Sequence, residues 1–156
     1  MSTSFHALSS FIPAHVSAAA ELPWVLSGTP GKSAKLLRFL PDDRGFVELL
    51  RMEPGVVMPL HRHTGEIHAY NLTGSRQLCT GEIVRAGDYV YEPNGNTDWW
   101  KIVGEETMLA LVVVIGKVEF LDAEGRVTAT ADAASQRAEL ERHCLQMGLP
   151  MPELKS

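Results

Sequence analysis

The chain has 156 residues, 45% of them apolar and 21% charged, with a formal net charge of −5. That length suffices for one domain with a sizeable core and not for two ordinary ones, and the composition excludes a disordered polymer. No cluster of lysine or arginine interrupts the acidic balance, which argues against nucleic-acid or membrane-surface binding.

Residues 1–20 carry no clear period and are expected to form an N-terminal arm that lies along the body or reaches a partner subunit. Their opening, M-S-T-S-F-H-A-L, lacks the basic start and continuous apolar stretch of a signal peptide. A first short strand is expected over 23–26, followed by the loop S-G-T-P-G. Strands follow over 35–40 and 46–52, separated by P-D-D-R-G, a strong turn signal. Pro54-Gly55 turns the chain into a strand over 56–63, and Thr64-Gly65 turns it again into 66–72. A small hairpin is read over 76–79 and 81–84, then a strand over 89–92, the tight loop Pro93-Asn94-Gly95-Asn96, and a strand over 98–103.

Residues 107–115 form a continuous apolar strand, expected to be buried on both faces and far too short to span a bilayer as a helix. A last hairpin covers 116–121 and 126–130. The period then changes. Residues 133–147 read as a helix with Ala134, Ala138, Leu140, Cys144 and Leu145 as a rough apolar stripe, stopped by Gly148 and Pro150. Short strands separated by Gly, Pro and Asp turns every 8 to 12 residues point to an all-β barrel or double-sheet jelly roll, with one C-terminal helix added. The domain reading is an arm over 1–20, a barrel over 21–130 and a helix packed on it over 131–156. Cys79 and Cys144 fit no C-x-x-C pattern, so two reduced thiols in a cytoplasmic protein are expected.

Two stretches carry chemistry. Residues 55–63 read G-V-V-M-P-L-H-R-H. On a strand, residues i and i+2 share a face, so His61 and His63 point the same way and Arg62 points the other. Two imidazoles side by side on one strand face suit a metal ion or proton chemistry, although a bare H-x-H is equally compatible with an ordinary surface pair. The second stretch, residues 87–100, reads G-D-Y-V-Y-E-P-N-G-N-T-D-W-W.

Together these resemble the two cupin motifs. The first is a glycine, five residues, H-x-H and a following strand ending in glycine. The second is a glycine and then P-x-G-x-x-H, with aspartate here in place of the last histidine. L-P-W-V, L-L-R-M-E-P-G, H-R-H-T-G-E, Y-E-P-x-G, V-E-F-L-D-A-E-G-R-V and E-R-H-C-L-Q-M-G-L are similar to one branch, the ChrR-like cupins that include 2,4′-dihydroxyacetophenone dioxygenase and the acetylacetone-cleaving dioxygenase. The resemblance covers about residues 22–149. It implies a double-stranded β-helix barrel with both motifs meeting at one metal inside it, and a homodimer or homotetramer.

Carried over by position, the resemblance implies a metal set of His61, His63 and Asp98, the last standing where the branch has its third histidine. The glutamate ligand of many cupins falls at Ile67, which cannot bind metal. Two imidazoles and one carboxylate are the donor set of non-haem Fe(II) oxygenases, so one divalent ion is expected, Fe(II) favoured, with Zn(II), Ni(II) and Mn(II) suited to the same donors. Aspartate is shorter than histidine, so Glu66 in the turn and His68 on the next strand stand as alternative ligands or bases, against outward, solvated readings for both. Glu92 is unusual in an apolar strand and is read either as orienting a ligand or gate, or as pairing with Arg51 or Arg76.

Tyr70, Asn71 and Trp100 are candidates for the substrate pocket, with Trp99 packing outward, and Val57, Leu60, Ile67 and Val90 are expected to make it dry. His6, His15 and His143 are read as surface or interface residues. The function that the resemblance implies is a metal-dependent dioxygenase cleaving a C–C bond in a small β-dicarbonyl or hydroxy-ketone, with dioxygen as the second reactant. The readings beside it are a metal-binding sensor or ligand-binding module without oxygenase activity, and a metal-assisted isomerase or hydrolase.

Overall fold

The computed structural model describes residues 14–154, so His6 and most of the expected arm lie outside the described residues. In chain order the strands are β1 (Val25–Leu26), β2 (Lys32–Phe39), β3 (Gly45–Met52), β4 (Val57–His63), β5 (Ile67–Thr73), β6 (Ser75–Leu78), β7 (Ile83–Val84), β8 (Tyr89–Glu92), β9 (Thr97–Val103), β10 (Met108–Ile115), β11 (Val118–Leu121) and β12 (Val127–Ala131), followed by one helix, α1 (Ala133–Met147). They form two six-stranded antiparallel sheets, ordered β1-β2-β3-β10-β5-β8 and β12-β11-β4-β9-β6-β7. The sheets enclose a cavity between their inner faces, the arrangement of a jelly-roll barrel.

Alternation builds the inner wall. Along β3, Phe46, Leu50 and Met52 are buried, and along β9 Asp98, Trp100 and Ile102 are. One apolar cluster joins Leu50, Met52, Met58, Trp100, Ile102, Met108 and Ala110 across both sheets, and another joins Leu36, Phe39, Phe46, Ile67, Val114 and Ala133.

Strand β4 breaks the strict alternation. Met58 opposes Trp100 and His61 opposes Asp98, with the register shifting between them. Three steps on β4 therefore match two on β9, the signature of an extra residue in one strand. The bulge lets Met58 and His61 both face the interior although they differ in parity. It also corrects the expected lining: Ile67 is buried and borders the cavity, whereas Val57 is 46% exposed and Leu60 and Val90 are only partly covered.

Two further expectations are corrected. Strand β10 lies between β3 and β5, yet Leu111 and Ile115 stay exposed because none of the described residues forms a second layer over the outer face there. The helix is bounded as its sequence signals require. Asp132 accepts from the Ser135 N–H at 2.8 Å while Ser135 Oγ accepts from the Asp132 N–H at 2.9 Å, and Gly148 closes the other end at φ 66°. Its buried residues are Ala133, Leu140 and Cys144, not Ala134, Ala138 or Leu145, the last being 84% exposed. The 3.6-residue period aligns 133, 137, 140 and 144. Arg137 completes that line by laying its guanidinium 4.3 Å from the Phe39 ring centre.

Among the described residues no helix is long and apolar enough to cross a membrane.

Candidate metal centre

The two histidines arrive together because they are two apart on β4. Both are buried, at 2% and 5% exposure, with ring centres 4.9 Å apart. Their backbone is pinned from outside the strand. The His63 N–H donates to the Asn96 carbonyl at 3.0 Å, and the Gly95 N–H donates to the His63 carbonyl at 2.7 Å. The loop between β8 and β9 thus clamps His63, and Gly95, at φ 88°, takes the left-handed conformation that this turn needs. The turn at Thr64-Gly65 is held equally closely: a side chain at Gly65 would collide with the Ile115 carbonyl.

Each ring is prepared differently. His61 Nδ1 lies 2.7 Å from the Pro59 carbonyl oxygen. Only an N–H can satisfy that acceptor, so the proton sits on Nδ1 and the Nε2 lone pair faces the cavity. Burial lowers the His61 pKa, with the Pro59 hydrogen bond opposing, which favours the neutral, ligating ring. His63 has no hydrogen-bond partner at either ring nitrogen, although both are buried. An orphaned buried imidazole costs free energy unless something outside the protein's own groups completes it.

The third donor comes from the opposite sheet. Glu92 ends β8, and its Oε1 stands 3.5 Å from His63 Nε2. That is long for a hydrogen bond. Two donors each about 2.1 Å from one ion stand about 3 to 3.5 Å apart, so the spacing fits shared coordination better. Ligand atoms of His61, His63 and Glu92 all lie within 4.8 Å of one another. Asn96 Nδ2 donates to Glu92 Oε1 at 3.0 Å and fixes the carboxylate. Burial would raise the Glu92 pKa, but the close approach of His63 and the positive charge of Arg76 outweigh it and hold the carboxyl below its usual range. Two imidazoles, one carboxylate and the unsatisfied nitrogens of His63 form a donor set that fits a divalent cation.

The other expected site residues divide by face. Asp98 is buried and directly opposite His61 in register, yet it does not join the donor group. Its short side chain turns to the end of the neighbouring strand β6, where Oδ1 accepts from the Cys79 N–H at 3.2 Å. Glu66 and His68 are not in the cavity. Ile67 points inward, so its neighbour His68 points out, where Nδ1 meets the Tyr89 hydroxyl at 2.5 Å and Nε2 lies 3.3 Å from Glu66. Tyr70 shares that outer face and is 45% exposed. Asn71 is buried, but its amide donates to the Gly74 carbonyl at 2.9 Å and braces a turn rather than lining the pocket. Trp100 does line the cavity, while Trp99 is exposed.

The cavity has a volume of about 450 Å³ and holds His61, His63 and Glu92 on its wall. Arg76 stacks its guanidinium 4.5 Å from the Trp100 ring centre, within the electrostatic reach of Glu92 and Asp98. Of the two arginines considered for Glu92, it is therefore the one nearby, because Arg51 lies over Trp24 instead. Sequence reasoning passed over two more charged residues of this wall, Lys32 and Glu48. Their signal was present: each occupies an inward position of an otherwise apolar alternation, Lys32 with Ala34 and Leu36, Glu48 with Phe46 and Leu50.

Residues 13–119 match the family model of the ChrR cupin-like domain. Curated proteins gave no match. Among solved structures, an RmlC-like cupin protein from Ralstonia eutropha JMP134 is 20% identical, with a TM-score of 0.85 over 96% of this chain and 98% of that one. A protein with a cupin-like fold from the same organism is 21% identical, with a TM-score of 0.77 over 92% and 96%. An acetylacetone dioxygenase from Acinetobacter johnsonii is 15% identical, with a TM-score of 0.72 over 86% and 93%.

Proposed function

The chain belongs to the ChrR cupin-like family, and from that premise we propose a metal-dependent, non-haem dioxygenase that cleaves a C–C bond in a small β-dicarbonyl or hydroxy-ketone. The observation that carries the reading is the buried donor set itself: an unpartnered His63, a tautomer-fixed His61 and an oriented Glu92 facing one cavity. The likeness in fold to an acetylacetone dioxygenase supports the choice of chemistry. Fe(II) is the favoured ion for a two-imidazole, one-carboxylate set that reacts with dioxygen.

When bound, such an ion supplies Lewis-acid stabilisation of an enolate and an electron source for dioxygen. The chain's own part is positioning and exclusion. Pro59 holds the His61 proton on Nδ1, and Asn96 aims the Glu92 carboxylate. Met58, Ile67, Trp100 and Phe120 keep the substrate's surroundings apolar, which strengthens each charge interaction made there. Arg76 offsets the negative charge of Glu92 and Asp98, so the cavity does not repel an enolate.

The test is oxygen uptake by protein reconstituted anaerobically with Fe(II) and offered diketones and hydroxyacetophenones. Substrate-dependent uptake with C–C cleavage products is expected. Tight stoichiometric metal without uptake for any of them supports instead a metal-binding module, a reading favoured by the aspartate that replaces the branch's third histidine. Turnover without oxygen supports an isomerase or hydrolase.

A further inference from the structure

A second polar feature faces the cavity, and the metal centre does not use it. Lys32 on β2 and Glu48 on β3 both border the same space as His61 and His63, from the opposite sheet. The Lys32 ammonium has one hydrogen-bond contact among the described residues, the Met58 thioether at 3.9 Å, which is a weak acceptor. It also lies 5.7 Å from the Phe120 ring centre. No hydrogen bond or ion pair is found for the Glu48 carboxylate among the described residues. The two groups feel each other's charge without touching.

A half-buried cation and anion on a cavity wall, left this way, are best completed by a polar group that enters the cavity. Burial shows in both: it lowers the Lys32 pKa and pushes Glu48 up to about 7, with each charge only partly relieving the other. Distance sets what could complete them. Phe120 borders both Lys32 and the metal centre, its ring 6.1 Å from that of His61 and 5.7 Å from Lys32 Nζ. A ligand that extends from the histidines along the Phe120 ring brings its far end toward Lys32, on the same cavity wall as Glu48.

Building on the proposed function, we infer that Lys32 and Glu48 are a second substrate anchor, which selects a substrate whose distal end carries a hydroxyl group. One hydroxyl accepts from the ammonium and donates to the carboxylate, so it satisfies both at once. A carboxylate would meet Lys32 but oppose Glu48, and an alkyl or bare aryl end would leave both unmade. The cavity's 450 Å³ lies within the usual range for small-molecule sites and leaves room for a substrate of this length.

The test uses the full chain loaded with Zn(II), which takes the same donors without redox chemistry. Calorimetry compares 1-phenylbutane-1,3-dione with its 4-hydroxyphenyl counterpart. The hydroxylated diketone is expected to bind about tenfold or more tightly, as for a substrate hydroxyl that a site is built to receive. In Lys32→Met and in Glu48→Gln the preference should fall to within about twofold, with affinity for Zn(II) and for the parent diketone retained. Should either single variant fail to fold because one buried charge remains, the double variant, which buries neither, carries the comparison. Equal affinity in the unaltered chain, or a preference that survives in the double variant, overturns the inference alone. If neither diketone binds the metal-loaded chain, the proposed function fails and the inference fails with it.

Discussion

Among the described residues two histidine–glutamate pairs stand at nearly equal spacing, and one of them alone is suited to hold a metal. On the inner face, His63 and Glu92 stand 3.5 Å apart with side chains 5% and 9% exposed. On the outer face, His68 and Glu66 stand 3.3 Å apart with side chains 37% and 50% exposed. The outer pair is completed by tyrosines: Tyr89 meets His68, and the Tyr91 hydroxyl donates to Glu66 at 3.3 Å. Water reaches what remains. In the inner pair Asn96 completes Glu92 alone, His63 has no partner at either nitrogen, and a second imidazole stands beside it. Residue type and spacing are thus shared, and the difference lies in desolvation and unmet valence.

The sharpest way to break this contrast is His61→Ala. Divalent-metal affinity should fall by about a hundredfold or more, read by competition with a chromogenic chelator. Glu92→Gln keeps the shape but removes the charge, and should cost about ten- to a hundredfold in the same measurement. An effect of that size from either His68→Ala or Glu66→Ala would erase the distinction between the two faces.

Glu48 extends the contrast to a buried carboxyl outside the metal centre. Burial pushes it up to about 7 from its ordinary 4.5, against the opposing charge of Lys32. Between those values the folded chain keeps a proton that the unfolded chain has lost. The sign follows: wild-type stability should fall as pH rises from about 4.5 to about 7, by about 1 to 3 kcal/mol from this group, and level off above. Urea unfolding of wild type and Glu48→Gln across that window checks it, the variant showing the flatter profile. A wild-type contribution that rises with pH would contradict the burial.

Asp98→Ala should have a smaller effect still. Metal affinity should stay within about tenfold, with about 1 kcal/mol of stability lost through the Cys79 N–H that the carboxylate now satisfies. At the bottom of the scale, His68→Ala should leave metal affinity within about twofold, as for an exposed group outside the site.

Much of this was legible in the sequence, for reasons that also mark where legibility stops. Turn residues and alternation located the strands, and Gly148 with Pro150 marked the end of the helix, whereas its Asp132–Ser135 cap emerges only from the structure. The H-x-H parity placed His61 and His63 on one face. The third donor was harder. Motif position pointed to Asp98, and register does put it opposite His61. What position could not reveal was the competing Cys79 N–H, nor that β8 from the other sheet delivers Glu92 beside His63. Glu92 was singled out as anomalous in an apolar strand, and the same anomaly at Lys32 and Glu48 passed unnoticed because neither belongs to a motif. The bulge in β4 has a single sequence mark, Pro59 inside a strand paired on both sides, and it turns Met58 inward beside the histidines.

A divalent ion bound in this cavity would be held by His61, His63 and Glu92. Anomalous scattering from crystals grown with Fe(II) under anaerobic conditions tests it directly. One peak is expected inside the barrel, coordinated by His61 Nε2, a His63 ring nitrogen and a Glu92 carboxylate oxygen, with Asp98 still on the Cys79 N–H. A peak ligated by Asp98 in place of Glu92, or one lying on the outer face beside Glu66 and His68, would contradict it.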